Sequence, residues 1–166
     1  MPSKAWAVAV LATLALSGCS YLPDFGGPSQ PAAPAAPAVP AAGAVASVPP
    51  PYSVDKLVGN WGVASYRMEK DRARIEGKAK EQCKLPFVIK KGPTDGVLMH
   101  VADDPDVHEL TLKATADGKV YLGFAGPPAD AQDLQILSMT DKMFTARYVD
   151  PDTDARFGTL VYVRCK

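Results

Sequence analysis

The sequence carries no excess of charge of either sign, because 18 Lys and Arg residues balance 18 Asp and Glu residues. Binding to nucleic-acid phosphates needs a basic surface, so this balance argues against nucleic acid as the main partner. A long hydrophobic run is also lacking near the N-terminus. The apolar stretch 5–16 has twelve residues, whereas a membrane-spanning helix needs about 20. It has instead the length of the apolar region of a signal peptide.

Histidine is scarce as well, with only His100 and His108 in the chain, and no Gly-x-Ser-x-Gly motif is present. A hairpin turning at Asp104 would place the two histidines on adjacent strands, where Asp103 or Asp106 could join them around a divalent metal. Strand alternation favours solvated histidines instead. We therefore predict no metal, no cofactor and no catalytic residue, so that the protein is not an enzyme.

The segment 150–154, Asp-Pro-Asp-Thr-Asp, is similar to the first half of an EF-hand calcium loop. Such a loop needs glycine where this chain has Ala155 and glutamate where it has Val161. The segment is therefore interpreted as a turn that begins at a proline.

Directly after the apolar stretch stands Leu16-Ser17-Gly18-Cys19. This motif resembles the lipobox of bacterial lipoproteins, which implies that the chain is cut before Cys19 and that this cysteine is acylated. Residues 1–18 would then be a signal peptide. Ser20, rather than aspartate, follows the cysteine, as in lipoproteins sorted to the outer membrane, so we expect a lipid-anchored protein facing the periplasm. The alternative is an ordinary secretory signal whose cleavage site contains a cysteine.

Acylation of Cys19 would leave Cys83 and Cys165 as an even pair in an exported protein. Disulfides form and persist in exported proteins, so we predict a bridge between them. It would close a long loop, which is worth roughly 4.5 kcal/mol in loop-closure entropy. Two free buried thiols are the alternative.

Residues 19–51 are predicted to form a lipidated linker. Nine Pro and nine Ala occupy residues 22–51, and Pro31, Pro34, Pro37 and Pro40 recur with the period of a polyproline II helix. Such a segment buries too little apolar area to fold, so it is expected to act as a semi-rigid spacer. A folded domain should follow, over residues 52–166.

Short runs of β-branched and aromatic residues alternate with turn signals in that domain. The pattern predicts eight strands over residues 59–66, 85–90, 97–101, 108–114, 119–124, 134–139, 143–149 and 157–165. Residues 67–82 are charged throughout and predict a short helix or ordered loop after the first strand. Closing the sheet removes its edges, so we predict an all-β, eight-stranded antiparallel up-and-down barrel. A two-sheet sandwich is the alternative.

Gly59-Asn60-Trp61 lies on the first predicted strand and Arg164 on the last. A Gly-x-Trp followed by a basic residue near the end of the final strand resembles the calycin superfamily, which includes the lipocalins. The resemblance implies that Trp61 closes the barrel bottom and that Arg164 packs across its face, although Trp61 could also be an ordinary core residue. In length and topology, residues 52–166 also resemble the bacterial metalloprotease-inhibitor barrels and related envelope lipoproteins. The cysteine spacing departs from that group, whose two cysteines lie close together.

The charges are unevenly placed along the domain. Residues 67–91 carry nine cations and four anions. Their lysines are candidates for contact with anionic lipid headgroups or peptidoglycan carboxylates: Lys78, Lys80, Lys84, Lys90 and Lys91. A merely solvated basic surface is the alternative.

A non-catalytic binding module is the function that we expect for this domain. The candidates for the barrel interior are large, which favours a filled barrel: Val120, Leu122, Phe124, Leu134, Ile136 and Tyr162. The partner could be a small hydrophobic ligand, a peptidase that the barrel inhibits, or peptidoglycan, to which a structural lipoprotein would bind.

Overall fold

The computed structural model describes residues 46–166. The predicted signal peptide, Cys19 and most of the predicted linker lie outside the described residues.

The described chain is mostly β-structure. Its strands are β1 (Ser47–Val48), β2 (Gly59–Tyr66), β3 (Phe87–Lys91), β4 (Val97–His100), β5 (Val107–Thr115), β6 (Val120–Gly123), β7 (Leu134–Met139), β8 (Met143–Tyr148) and β9 (Thr159–Arg164). Two α-helices, α1 (Arg72–Glu81) and α2 (Pro151–Phe157), interrupt the strands. Single 3-10 turns occupy Val54–Lys56, Glu69–Asp71 and Gln82–Lys84.

Strands β2 to β9 form a closed ring. Each pairs antiparallel with its neighbour in sequence, and β9 pairs with β2 over six residues, from Trp61 opposite Arg164 to Tyr66 opposite Thr159. This topology confirms the predicted eight-stranded antiparallel up-and-down barrel and excludes the two-sheet sandwich. The barrel has two open ends in its backbone. The start of β2 and the end of β9 lie at the same end.

Strand β1 adds a short ninth strand to the wall. Ser47 pairs with Thr115 and Val48 with Ala114 of β5. Those positions of β5 lie beyond its pairing with β4, which covers Val107–Leu110 only. Residues before the predicted boundary at Tyr52 therefore contribute to the sheet.

The interior of the barrel is filled by side chains. Alternate residues of the strands point inward and form one cluster of fifteen buried residues: Leu57, Trp61, Ile89, Val97, Met99, Leu110, Leu112, Ala114, Val120, Leu122, Leu134, Ile136, Phe144, Ala146 and Tyr162. These fifteen side chains occupy the barrel interior, as expected for a filled barrel.

Helix α1 lies on the outer wall over β2 and β9. Its Ile75 and Ala79 pack against Tyr66, Val161 and Val163, which face outward. Gly62 allows this close approach, because a Cβ atom there would collide with the carbonyl oxygen of the helix. The predicted short helix after the first strand is thus confirmed.

The predicted disulfide is also confirmed. Cys83 and Cys165 are bonded, with Cα atoms 5.5 Å apart and a sequence separation of 82. The bridge joins the end of the helical segment after β2 to the residue that follows β9.

Three details of the predicted fold are wrong: one turn and the starts of two strands. The segment 150–152, which the sequence predicts as a turn, is the start of α2. Pro151 takes the first helical position, and Asp150 caps the helix by accepting a hydrogen bond from the Thr153 backbone N–H at 2.8 Å. The last strand consequently starts at Thr159 rather than at residue 157. The second strand begins at Phe87, two residues after the predicted start at residue 85. The reason is that Leu85 ends a 3-10 turn and Pro86 has no N–H to donate.

No helix among residues 46–166 is both long and apolar enough to cross a bilayer.

Candidate binding site at the barrel mouth

One end of the barrel is closed by Trp61 and Arg164. Trp61 is fully buried and donates from Nε1 to the carbonyl oxygen of Leu57 at 2.8 Å. The Arg164 guanidinium lies over the indole ring, with Cζ 4.2 Å from the ring centroid. It also donates to three backbone carbonyl oxygens, those of Lys56 at 2.6 Å, Asp141 at 2.7 Å and Val58 at 2.9 Å. This end therefore has no room for a ligand.

Aromatic rings occupy the barrel above this end. Phe144 meets the Trp61 ring edge-on at 4.8 Å, and Tyr162 stacks on Phe144 at 4.1 Å with nearly parallel planes. Burial, with a smaller effect from the neighbouring Tyr148, raises the pKa of Tyr162 above its usual range. A ligand could therefore enter only from the opposite end, where Tyr148 ends β8.

That opposite end, which we call the mouth, holds a pocket of about 220 Å³. Phe124, Tyr148 and Val101 give it apolar walls, and Gln132 and Thr153 add polar groups. The rest of the lining consists of Ala102, Asp103, Ala131 and Asp150. Burial raises the pKa of the Tyr148 hydroxyl, so this group stays protonated at neutral pH. The pocket thus combines apolar walls with hydrogen-bonding groups, as small-molecule sites commonly do.

Helix α2 and the turn before β5 are tied together across the mouth. Arg156 of α2 contacts both carboxylate oxygens of Asp103 at 2.7 Å. On the other side of α2, Arg67 donates from Nε to the carbonyl oxygen of Ala155 at 3.1 Å. These contacts fix α2 relative to the rim, although both partners of the Asp103–Arg156 pair are more than half exposed.

His108 lies at the rim of the mouth. Its Nε2 atom is 2.8 Å from Oδ2 of Asp104, and its ring meets Phe124 at 5.4 Å. The backbone N–H of Asp106, and then the His108 side chain, lower the pKa of Asp104. The pair fixes the turn after β4 against one wall of the pocket.

A buried ion pair anchors the segment 124–133, which supplies another wall. Nζ of Lys113 lies 2.6 Å from Oδ1 of Asp133, with exposed fractions of 5% and 1% for the two side chains. Lys113 also donates to the carbonyl oxygens of Phe124 and Pro127, each at 3.0 Å. Because Phe124 begins this segment, the ion pair positions a wall of the pocket from outside the barrel.

The five predicted lysines all lie on the surface, but their surroundings differ. Lys78 pairs with Glu81 at 2.9 Å, and Lys91 pairs with Asp55 at 3.0 Å. Lys80, Lys84 and Lys90 form no ion pair among the described residues. None of the five contributes to the mouth pocket.

The histidines do not form a shared site. His100 pairs across the strands with Val107, and His108 pairs with Met99, so strand alternation puts the two rings on different faces. Within residues 46–166, no group of three or more His, Cys, Asp or Glu side chains is arranged to hold a metal ion. The Asp150 carboxylate, in the segment similar to a calcium loop, caps α2.

The sequence indicated the closed end but not the mouth. Trp61 and Arg164 stand in a recognisable motif, whereas Tyr148, Asp103 and Lys113 come together only through turns and a helix. A partial signal existed: Asp150 followed by Pro151 is a helix-start pattern. In comparisons with protein-family models, curated proteins and solved structures, none matches this chain. The function is therefore inferred from the sequence motifs and from the site.

Proposed function

We propose that this protein is a lipoprotein of the bacterial outer membrane, anchored through Cys19 and facing the periplasm, that acts as a non-catalytic binding module. Its ligand is a small hydrophobic molecule seated in the mouth pocket. The anchor is supported by Leu16-Ser17-Gly18-Cys19, which resembles a lipobox. The observation that carries the binding role is the asymmetry of the barrel. One end is closed by Trp61 and Arg164, and the other opens into a pocket walled by Phe124 and Tyr148.

The size of the pocket limits the ligand. At about 220 Å³ it is smaller than the roughly 300–1,000 Å³ typical of sites for drug-sized ligands. The rings of Phe144 and Tyr162 fill the barrel below it. A single aromatic ring with one polar substituent matches this space, whereas the chain of a fatty acid or retinoid would have to displace the core.

The surroundings of the pocket favour binding over catalysis. Both described cysteines are in the disulfide. No hydrogen bond joins a Ser, Thr or Cys side chain to either histidine among residues 46–166, and Asp104, which contacts His108, belongs to the turn before it. Activation of a serine, threonine or cysteine nucleophile by histidine needs such a pairing.

The binding proposal is tested by NMR titration of the processed chain with single-ring probes such as phenol and benzyl alcohol. We expect amide shifts confined to the mouth and a dissociation constant that rises about tenfold in Tyr148→Ala, which removes one aromatic wall. Leu137→Ala is the control, because Leu137 is exposed on the outer wall. A fluorescent fatty acid should not bind. Unchanged spectra at millimolar probe, or equal affinity in Tyr148→Ala, would refute the site.

The anchor has a separate test. The full chain, expressed in a bacterium with an outer membrane, should carry acyl groups on Cys19 by mass spectrometry and should be extracted only with detergent. The Cys19→Ala variant should lack both properties. An unmodified Cys19 in the exported protein would refute the anchor without bearing on the mouth pocket.

A further inference from the structure

The most exposed large apolar side chain among the described residues is Leu85, at 87%. Val88, three residues later, is 43% exposed. Val88 and Lys90 lie on the outer face of β3, because the residue between them, Ile89, points into the core. The segment between α1 and the middle of β3 thus exposes two apolar side chains, Leu85 and Val88, to water.

Leu85 is held in this exposed position by its neighbours. Its backbone N–H donates to the carbonyl oxygen of Gln82 at 2.9 Å. The disulfide at Cys83 fixes the chain two residues before it, and β3 begins two residues after it, at Phe87. Little backbone conformational entropy is therefore left to lose when another surface covers Leu85.

The exposed leucine is flanked by cations. Lys84 precedes it, Lys80 stands about one helical turn before Lys84, and Lys90 follows Val88 on the outer face of β3. All three are exposed and form no ion pair among residues 46–166, whereas the adjacent Lys78 is neutralised by Glu81. We call the set Lys80, Lys84, Leu85, Val88 and Lys90 the Leu85 patch.

We propose that the Leu85 patch docks on the surface of an anionic lipid bilayer, with Leu85 entering the headgroup region and the three lysines contacting lipid phosphates. Apolar side chains that enter the interface, surrounded by cations that remain at headgroup level, are the pattern of peripheral membrane binding. The patch differs from the mouth pocket and shares no residue with it.

Other occupants match the patch less well. The carboxylates of peptidoglycan would satisfy the lysines but would leave Leu85 and Val88 in water. A stable protein–protein interface usually buries about 800 Å² on each partner, and somewhat more than half of this area is apolar. One leucine and a half-exposed valine provide much less apolar surface than that. A bilayer needs only a few apolar groups together with positive charge.

The docking does not depend on the anchor. If the anchor is present, it would hold the domain close to the bilayer and raise the local concentration of lipid, so that weak docking suffices. The patch can therefore be tested without the anchor. The suitable protein is residues 19–166 with Cys19→Ala, which lacks the apolar N-terminal stretch and the thiol to be acylated but keeps every described residue.

The test is flotation with vesicles of phosphatidylglycerol and phosphatidylethanolamine, compared with vesicles of phosphatidylcholine alone. We expect binding to the anionic vesicles only, weakened by raising the salt concentration. Each of Lys80→Gln, Lys84→Gln and Lys90→Gln should weaken binding about fivefold. Leu85→Ala should weaken it on the order of tenfold, because the alanine side chain enters the bilayer with fewer carbons.

Matched controls locate the surface. The triple variant Lys70→Gln/Lys142→Gln/Lys166→Gln removes three exposed lysines outside the patch, and Leu137→Ala removes an exposed leucine from β7. Neither should change binding. The proposal is overturned if the protein does not bind anionic vesicles or if Leu85→Ala binds them normally. It is also overturned if the control triple variant binds as weakly as the triple variant Lys80→Gln/Lys84→Gln/Lys90→Gln. Cosedimentation with purified cell-wall sacculi without vesicle binding would assign the lysines to peptidoglycan instead.

Discussion

Replacing Lys113 by methionine should lower the free energy of unfolding by about 3–5 kcal/mol, because it leaves a buried carboxylate without its cation. The Asp133 side chain is only 1% exposed, and its Oδ1 atom lies 2.6 Å from the lysine Nζ. The remaining contact, in which the Asp130 backbone N–H donates to Oδ2 at 3.1 Å, satisfies only one of the two oxygens. The variant would also lose two hydrogen bonds from Lys113 to backbone carbonyl oxygens.

The assay is urea unfolding followed by the fluorescence of Trp61, which is fully buried at the far end of the barrel and reports on unfolding of the whole domain. The double variant Lys113→Met/Asp133→Leu should recover much of the loss, because it removes both charges and leaves apolar groups of similar size. Lys78→Met is the control. It breaks an ion pair whose side chains are 57% and 62% exposed, and it should cost at most about 1 kcal/mol.

The location of the pair gives a second readout. Segment 124–133 supplies Phe124 and Gln132 to the mouth pocket, so Lys113→Met should also weaken probe binding, even where the barrel remains folded. A loss of stability no larger than that of Lys78→Met would refute the reasoning. It would mean that water reaches the Lys113–Asp133 pair and that the segment is not anchored by it.

Three further predictions concern stability. Arg164→Lys should destabilise the domain by about 2–3 kcal/mol in urea unfolding, because an ammonium group cannot keep three carbonyl contacts and lie flat on an indole. A change in unfolding free energy below about 0.5 kcal/mol would contradict the geometry of the closed end. Gly62→Ala should cost about 1–3 kcal/mol, because the new methyl group meets the carbonyl oxygen of Ala79, and an unchanged melting temperature would show that α1 can shift at no cost. The side chains of Lys119 and then Thr115 lower the pKa of Asp117 to about 2, below the roughly 3.9 expected in the unfolded chain. The ionised carboxylate therefore stabilises the fold above about pH 4, and this contribution is lost as the pH falls through 2. Asp117→Asn should thus be less stable than the native chain at pH 7 but equally stable near pH 1.5. A difference in unfolding free energy that does not change with pH would refute this assignment.

Much of the barrel could be predicted from the sequence because its signals are local. Alternation of apolar residues, as in Val120 and Leu122, marks a strand with one face buried, and a short turn fixes the register of a hairpin. Closure of the ring was inferred from the cost of open edges. The disulfide followed from counting cysteines, since Cys83 and Cys165 were the pair left after Cys19.

The candidate site could not be predicted in the same way, because its parts are distant in sequence and its polar residues resemble ordinary surface residues. Lys113 alternates with apolar neighbours on β5 as an outward-facing lysine should, and it does face outward. It is nevertheless buried, because segment 124–133 folds back over it and brings Asp133 into contact. Similarly, Tyr148 belongs to the pocket only because α2 follows it, where the sequence was interpreted as a turn.

The two ends of the barrel differ in what holds them together, and this difference has a consequence for binding. At the closed end, Arg164 donates to backbone carbonyl oxygens and covers Trp61, so its contacts are part of the barrel itself. At the mouth, the connecting segments are held by side-chain pairs, Asp103 with Arg156 and Lys113 with Asp133, that lie outside the apolar core. Substitutions of the polar lining residues Asp103 and Gln132, which lie outside the apolar core, would therefore alter ligand preference at little cost to the barrel. Substitutions at the closed end would alter stability and leave the geometry of the mouth unchanged.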